Sequence, residues 1–260
     1  MKLLFIGDII GKPGRIILSQ YLDNLINKYK IDLCIANGEN AAGGFGITRK
    51  VGESLFDMGI NVMSSGNHIW DKKEALDYLP KESRFLRPAN YPKGAPGSGS
   101  TLFRFSDGTY AGILNLAGRV FMPNLDCPFQ TADREILELK KKAKFIIVDM
   151  HAEATSEKIA MGWYLDGRVS AVIGSHTHVQ TADEKILPKG TAYITDSGMT
   201  GPIDSVIGMK KETAIFRFKT SIPEKFSVAS GDTQLNAVVV EIDSKSGLAK
   251  EIKRIQLTSS

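Results

Sequence analysis

The sequence predicts an α/β fold in which two β-sheets pack face to face with helices on their outer sides, in a single domain spanning residues 1–260. Short apolar runs alternate with stretches of helical periodicity through the first two thirds of the chain, and the last third is rich in strand-type patterns. Hydrophobic residues make up 42% and charged residues 24% of the chain, which is typical of globular proteins and excludes a disordered polymer.

The first half alternates predicted strands and helices. Pro13 suits a first helical turn, and Thr48 suits the N-cap of a second helix that ends near Gly59. A glycine-rich loop (Gly43, Gly44 and Gly46) either needs positive φ or cradles a phosphate through its backbone amides. The predicted strands are residues 2–7, 32–36 and 60–64, and the predicted helices are 13–26, 48–59 and one that starts at a capping box of Asp71 and Glu74.

The second half changes character after a loop at residues 88–99, which contains three prolines and three glycines. Helical spacing is limited to two segments, and the remaining apolar runs have the lengths and composition of strands. The predicted helices are 131–142 and 156–165, and the predicted strands are 101–105, 111–116, 145–150, 169–174, 191–195, 213–219, 237–242 and 249–256.

Composition limits the classes of partner and compartment. The net charge of +4 is too small to hold a polyanion by itself. The apolar N-terminus is interrupted by Gly7, Asp8 and Pro13, and no run approaches the ~20 residues that span a bilayer. Two cysteines give no disulfide framework. We therefore expect a cytoplasmic protein without membrane contact, whose β-rich last third could serve a homo-oligomer.

Polar residues of the metal-binding type follow five predicted strands. All four histidines of the chain occupy such positions, which packing or solubility alone would not produce. Because ligands of open α/β sheets gather at the carboxyl ends of strands, we expect these side chains to form a site. They are Asp8, Glu39 with Asn40, Asn67 with His68, His151, and His176 with His178.

Imidazole, carboxylate and amide groups suit transition metals such as Fe, Mn, Zn or Co. The set exceeds the needs of one ion, so we expect two ions that share a carboxylate and activate a bridging water. The spacing of His176 and His178 leaves two alternatives. An extended segment would place both side chains on one face, whereas a tight turn, favoured by the preceding Gly174, would separate them.

The motifs resemble those of the calcineurin-like metallophosphoesterases, in the same order along the whole chain. The first two motifs depart from the usual pattern, because Ile10 replaces a histidine and Glu39 replaces an aspartate. The YmdB-like bacterial phosphodiesterases share both changes, and the sequence also resembles them at residues 7–11, 37–41 and 196–202. This resemblance implies a four-layer α/β/β/α sandwich of two mixed sheets flanked by helices.

The resemblance also implies residue roles and an activity. Glu39 would bridge two metal ions, iron or manganese, and His68 would lie near the leaving oxygen as the catalytic proton donor. The implied substrates are cyclic nucleotides, 2′,3′-cyclic ones in particular and 3′,5′-cyclic ones as an alternative, or RNA-derived phosphodiesters. The first ion would bind Asp8, Asn40 and His178, and the second Asn67, His151 and His176.

Other interpretations remain open at this point. The same frame could support a phosphomonoesterase or protein phosphatase, and a metal-bound regulatory or RNA-binding protein would not turn over substrate. Asp196 follows a predicted strand, where it could support a ligand histidine from behind or cap a turn. Because Asn40 is a weaker ligand than histidine, we expect the first ion to bind less tightly.

Overall fold

The computed structural model describes residues 1–259, and its elements follow the predicted alternation. The helices are α1 (Gly11–Tyr29), α2 (Arg49–Asp57), α3 (Ala75–Tyr78), α4 (Pro128–Leu139), α5 (Thr155–Leu165) and α6 (Lys211–Thr220), with a 3₁₀ turn at Leu79–Lys81. The strands are β1 (Lys2–Ile6), β2 (Asp8–Ile9), β3 (Leu33–Asn37), β4 (Val62–Ser64), β5 (Ser100–Arg104), β6 (Tyr110–Ala117), β7 (Phe145–His151), β8 (Ala171–Ser175), β9 (Lys185–Ile186), β10 (Ala192–Ile194), β11 (Met199–Pro202), β12 (Thr233–Ile242) and β13 (Ala249–Thr258).

These strands form two mixed sheets. The first has the order β2-β11-β12-β1-β3-β4, with β13 also paired to β12. The second has the order β5-β6-β7-β8-β10-β9. Strands β1, β3 and β4 are parallel neighbours in the first sheet, as are β6, β7 and β8 in the second, so their carboxyl ends lie along one edge of each sheet.

The two sheets pack against each other through side chains that alternate along each strand. In β1, Leu3 and Phe5 belong to the core between the sheets, whereas Leu4 and Ile6 belong to the core under the outer helices. Ile147 of β7 faces the same inter-sheet core. Strands with two apolar faces need a layer on each side, and this confirms the predicted α/β/β/α sandwich.

The outer helices cover the remaining apolar faces. Helix α1 buries Ile17, Leu18 and Leu22 against the first sheet. Helices α4 and α5 cover the second sheet with residues such as Ile136 and Met161. Among residues 1–259, no helix combines the length and apolar character that crossing a bilayer requires.

Two local predictions were wrong. Residues 213–219 were predicted as a strand, but they lie within helix α6. The surrounding structure decides here, because Thr213 and Ala214 form the buried face of the helix while Phe216 and Phe218 stay exposed. The predicted capping box also fails, because the Asp71 carboxylate pairs with His68 and that of Glu74 accepts from the backbone N–H of Arg49.

Candidate active site

The carboxyl ends of five strands bring all seven predicted metal ligands and His68 to one place, where the two sheets meet. Asp8 lies in β2, and His151 ends β7. The other residues occupy the loops that follow β3, β4 and β8. Five of the predicted ligands are buried in the protein, namely Asp8, Glu39, Asn40, His151 and His178.

One set of contacts centres on His151, and we call Glu39, Asn67, His151 and His176 the His151 group. The Nε2 atom of His151 lies 3.2 Å from Glu39 Oε1, 3.1 Å from Asn67 Oδ1 and 3.0 Å from His176 Nδ1. The ligand atoms of Glu39, His151 and His176 all lie within 4.8 Å of one another. These nitrogen and oxygen atoms therefore converge on a common point.

A second set lies beside it, and we call Asp8, Asn40 and His178 the His178 group. The Nε2 atom of His178 lies 3.7 Å from Asp8 Oδ1 and 3.4 Å from Asn40 Nδ2. The backbone carbonyl of Ile207 accepts a hydrogen bond of 2.8 Å from His178 Nδ1. This bond fixes the imidazole tautomer, so that Nε2 presents its lone pair to Asp8 and Asn40.

Glu39 joins the two groups. Its Oε1 atom lies 3.2 Å from His151 Nε2 and accepts a hydrogen bond of 3.2 Å from Asn40 Nδ2. Its Oε2 atom accepts a 3.0 Å hydrogen bond from the backbone N–H of His68. A carboxylate held in this way has access to both groups, as sharing between two cations requires.

A buried carboxylate supports His151 from behind. Ser175 Oγ lies 3.0 Å from His151 Nδ1 and donates a 2.6 Å hydrogen bond to Asp149 Oδ1. Ser64 donates to the other carboxylate oxygen. Burial raises the pKa of Asp149 to about 6. The contact of His151 Nδ1 with Ser175 turns the Nε2 atom toward the cluster.

The two C-terminal histidines lie in a tight turn, which decides between the two alternatives left by the sequence. His176 and His178 have left-handed backbone conformations, with φ values of 97° and 66°. Their side chains diverge, and His176 joins the His151 group while His178 joins the other group. Non-glycine residues adopt this region at a cost in strain, so the turn requires support.

Asp196 provides that support. Its buried carboxylate accepts hydrogen bonds from Thr177, at 3.0 Å from the backbone N–H and 2.8 Å from the hydroxyl. The ammonium of Lys158, also buried, donates to Asp196 at 2.7 Å and to the Ser175 carbonyl at 2.9 Å. Asp196 therefore acts on the ligand histidines through Thr177, the residue between them.

His68 lies at the rim of the cluster. Its Nδ1 atom pairs with Asp71 Oδ2 at 2.9 Å, and its ring packs edge-on against Phe45 with centroids 5.2 Å apart. Its side chain is 33% exposed. The second ring nitrogen is thus free of the Asp71 contact and available to a bound substrate.

Burial and mutual charge shift the pKa values in the cluster. Burial opposes ionisation of Asp8, but contact with His178 and the imidazole charges hold its pKa at about 2. Burial likewise opposes protonation of His151, but the charge of Glu39 raises its pKa to about 9. Burial, together with the charge of His151, lowers the pKa of His176 to about 3. Ionised carboxylates thus surround a shared positive charge, which is the electrostatic setting of a cation site.

The residues fit the binding of a transition metal. Asp8 Oδ1 and Asn40 Oδ1 are buried and have no hydrogen-bond partner within residues 1–259. A buried polar atom without a partner is costly unless a ligand satisfies it. The donors are imidazole nitrogens and carboxylate or amide oxygens, which iron, manganese and zinc accept.

Several supporting residues escaped the sequence analysis. Asp149 is a carboxylate inside an apolar strand, and this was a signal that could have marked it. Lys158 and Glu153 had no such signal, although Glu153 Oε2 lies 3.0 Å from His176 Nε2. The glycine-rich loop has positive φ at Gly43, Gly44 and Gly46, as one of its two interpretations predicted.

A cavity of about 480 Å³ opens onto the cluster. Its polar side is formed by Glu39, Asn40, His68, His176 and His178. The apolar part of its lining comes mainly from residues 206–226. Within residues 1–259, no lysine or arginine lines it. The volume is in the range that holds a small organic ligand.

Comparison with known proteins identifies the relatives of this chain. A sequence profile described as YmdB-like protein matches residues 4–255. A 2′,3′-cyclic-nucleotide 2′-phosphodiesterase of Bacillus subtilis strain 168 is 52% identical over 255 residues, covering 98% of this chain and 96% of that protein.

Two crystal structures share the fold across their length. A hypothetical protein from Thermus thermophilus superposes with a TM-score of 0.94 at 42% identity, with coverage of 100% of both chains. A novel phosphatase from Mycoplasma pneumoniae gives a TM-score of 0.93 at 38% identity, covering 99% of this chain and 93% of that one. The chain belongs to the YmdB-like protein family.

Proposed function

We propose that the protein is a phosphodiesterase with two metal ions that hydrolyses cyclic nucleotides, 2′,3′-cyclic ones in particular, or the equivalent ends of RNA. The observation that carries this proposal is the position of Glu39, whose carboxylate contacts His151 of one ligand group and Asn40 of the other. The name of the B. subtilis relative supports the substrate class.

The chain's own residues divide between the ions. The His178 group would hold the first ion, the His151 group the second, and Glu39 would be shared by both. Iron or manganese fits these donors best. When bound, such a pair supplies Lewis-acid chemistry, because it polarises the phosphoryl oxygens and makes a water molecule acidic enough to attack phosphorus.

We propose that His68 protonates the leaving group. In hydrolysis of a 2′,3′-cyclic nucleotide a bond forms between the water oxygen and phosphorus, and the bond from phosphorus to the 2′-oxygen breaks. The 2′-oxygen gains a proton, and a nucleoside 3′-phosphate remains. We expect the free ring nitrogen of His68 to donate that proton, while the Asp71 carboxylate, 2.9 Å from Nδ1, orients the ring.

The charge of the cavity favours a diester over a monoester. A phosphomonoester carries about two negative charges near pH 7, whereas a cyclic diester carries a single charge. Among the described residues no lysine or arginine lines the cavity, and Glu153 adds a negative charge. A monoester would therefore find no guanidinium or ammonium group in the cavity to pair with its second charge. The phosphomonoesterase interpretation is the second candidate.

The test compares matched substrates on purified protein loaded with Mn²⁺. We expect hydrolysis of bis(p-nitrophenyl) phosphate and of 2′,3′-cyclic AMP, with p-nitrophenyl phosphate cleaved much more slowly. Elemental analysis should find two equivalents of metal per chain. A protein that binds metal but cleaves none of these substrates would favour the regulatory or RNA-binding alternative. Cytoplasmic location and a homo-oligomer remain predictions from the sequence.

A further inference from the structure

We propose that the apolar side of the cavity is a nucleobase subsite that accepts all four bases. The proposal rests on the phosphodiesterase function proposed above and adds the way in which the substrate is held. We call Ile207, Met209, Phe218 and Phe226 the apolar wall, since they line the same cavity as the ligand groups.

The wall is attached directly to the ligand cluster. The carbonyl of Ile207 accepts the hydrogen bond from His178 Nδ1, at 2.8 Å. Val206 and Met209 exchange backbone hydrogen bonds of 2.9 and 3.0 Å, which close the loop that carries Ile207. A substrate whose phosphate lies at the ligand groups therefore presents its other end to the wall.

The wall offers aromatic surface, and none of its four residues has a hydrogen-bonding side chain. Phe218 is 84% exposed, although it is a large apolar residue. The ring of Phe226 is fixed by the guanidinium of Arg217, which lies 4.2 Å from the ring centroid. Bases stack on aromatic side chains whatever their sequence, because every base has a π-face. Since its four side chains are apolar, the wall should not distinguish purines from pyrimidines by hydrogen bonds.

The occupant follows from the continuity of the cavity. The ligand groups and the wall line the same space of about 480 Å³. The polar side suits the phosphate of a cyclic nucleotide, and the apolar side suits its uncharged base. Phe218 is exposed and lines the same cavity as the ligand groups, so we interpret it as a contact for the substrate.

The test compares substrates with and without a base. KM and kcat are measured for 2′,3′-cyclic AMP, 2′,3′-cyclic CMP and glycerol 1,2-cyclic phosphate, which has no base. For Phe218→Ala we expect KM to rise about tenfold for both nucleotides and much less for the glycerol compound, in line with the loss of one stacking contact. The wild-type KM values for the two nucleotides should agree within about threefold.

Phe216→Ala is the matched control. Phe216 lies on the same helix and is 41% exposed, and it is not among the residues that line the cavity. It should leave all three KM values unchanged. Equal losses on nucleotides and on glycerol 1,2-cyclic phosphate in Phe218→Ala would overturn the base subsite. A change in molecular mass by light scattering without a base-dependent change in KM would assign the wall to contact with a second copy and overturn it too.

Failure of the proposed function gives a different result. If the wild-type protein cleaves neither cyclic nucleotides nor glycerol 1,2-cyclic phosphate, the phosphodiesterase proposal is refuted. The subsite is then tested by calorimetric binding of adenosine 3′-phosphate and glycerol phosphate. A weaker affinity of Phe218→Ala for the nucleotide alone would support the subsite, and equal affinities of wild type and variant would overturn it.

Discussion

The two ligand groups of the site differ in how many contacts within the protein hold their members in place. In the His151 group, the central imidazole contacts three other proposed ligands, and Ser175 with Asp149 supports it from behind. In the His178 group, Asp8 Oδ1 and Asn40 Oδ1 have no hydrogen-bond partner within residues 1–259.

Under the proposed function, the fold would hold two neighbouring ions by different means. The His151 group is supported from behind by Ser175 and Asp149, whereas the His178 group leaves buried oxygens that an ion would satisfy. Ile10, beside Asp8 in the first motif, is a fully buried apolar residue and offers no ligand atom. We therefore infer that the His178 group binds its ion less tightly.

The largest effect is expected where the two groups meet. Glu39→Gln removes the shared negative charge, so we expect kcat to fall on the order of 10³-fold. Metal content should also fall below two equivalents per chain, as measured by elemental analysis. Glu53→Gln is the control, because Glu53 is an exposed residue paired with Arg49 at the surface. Retention of full activity in Glu39→Gln would refute the role of a shared carboxylate.

Metal removal tests directly whether the two groups differ in metal affinity. After chelation, calorimetric addition of Mn²⁺ should resolve two binding events whose affinities differ by about 10- to 100-fold. His178→Ala should abolish the weaker event and keep the tighter one. Loss of the tighter event in this variant would reverse the assignment of the two groups.

The Ser175–Asp149 network behind His151 should contribute less to metal affinity than the ligands themselves. Ser175→Ala breaks the connection between His151 and Asp149, and we expect the tighter metal affinity to fall about tenfold. Ser197→Ala is a matched control, because Ser197 is also fully buried but its hydroxyl has no partner within residues 1–259. Equal metal affinities of the two variants would show that the network does not act on the metal.

The smallest effect is expected at His68, outside both groups. Asp71→Asn weakens the carboxylate contact that orients the ring, and we expect kcat to fall about two- to fivefold, since the pair is partly exposed. Metal content should not change. Asp77→Asn, at another exposed carboxylate nearby, should leave kcat as it is. A loss of metal in Asp71→Asn would contradict a role limited to His68.

Local patterns in the sequence predicted most of the site residues, because these residues lie at the ends of strands that the patterns mark. Short apolar runs mark the buried strands, and a polar residue at the end of a run marks the edge where a loop begins. The predicted ligands and His68 all follow such runs, and the structure brings them together. The same logic failed for residues 213–219, whose alternating aromatic pattern lies in helix α6. Local propensity for strands is weak, and the surrounding structure overrides it.

The sequence by itself determined most of the long strands and the polar residues that follow them, because these features depend on neighbours along the chain. The tertiary structure alone decided which of those residues meet. The contact between Asp8 and the backbone of His176 joins residues 168 positions apart. The support that Asp149 gives through Ser175 and the contact of the apolar wall with His178 likewise depend on packing and topology. Such contacts leave no periodic signal in the chain, because they are fixed only when the two sheets close on each other.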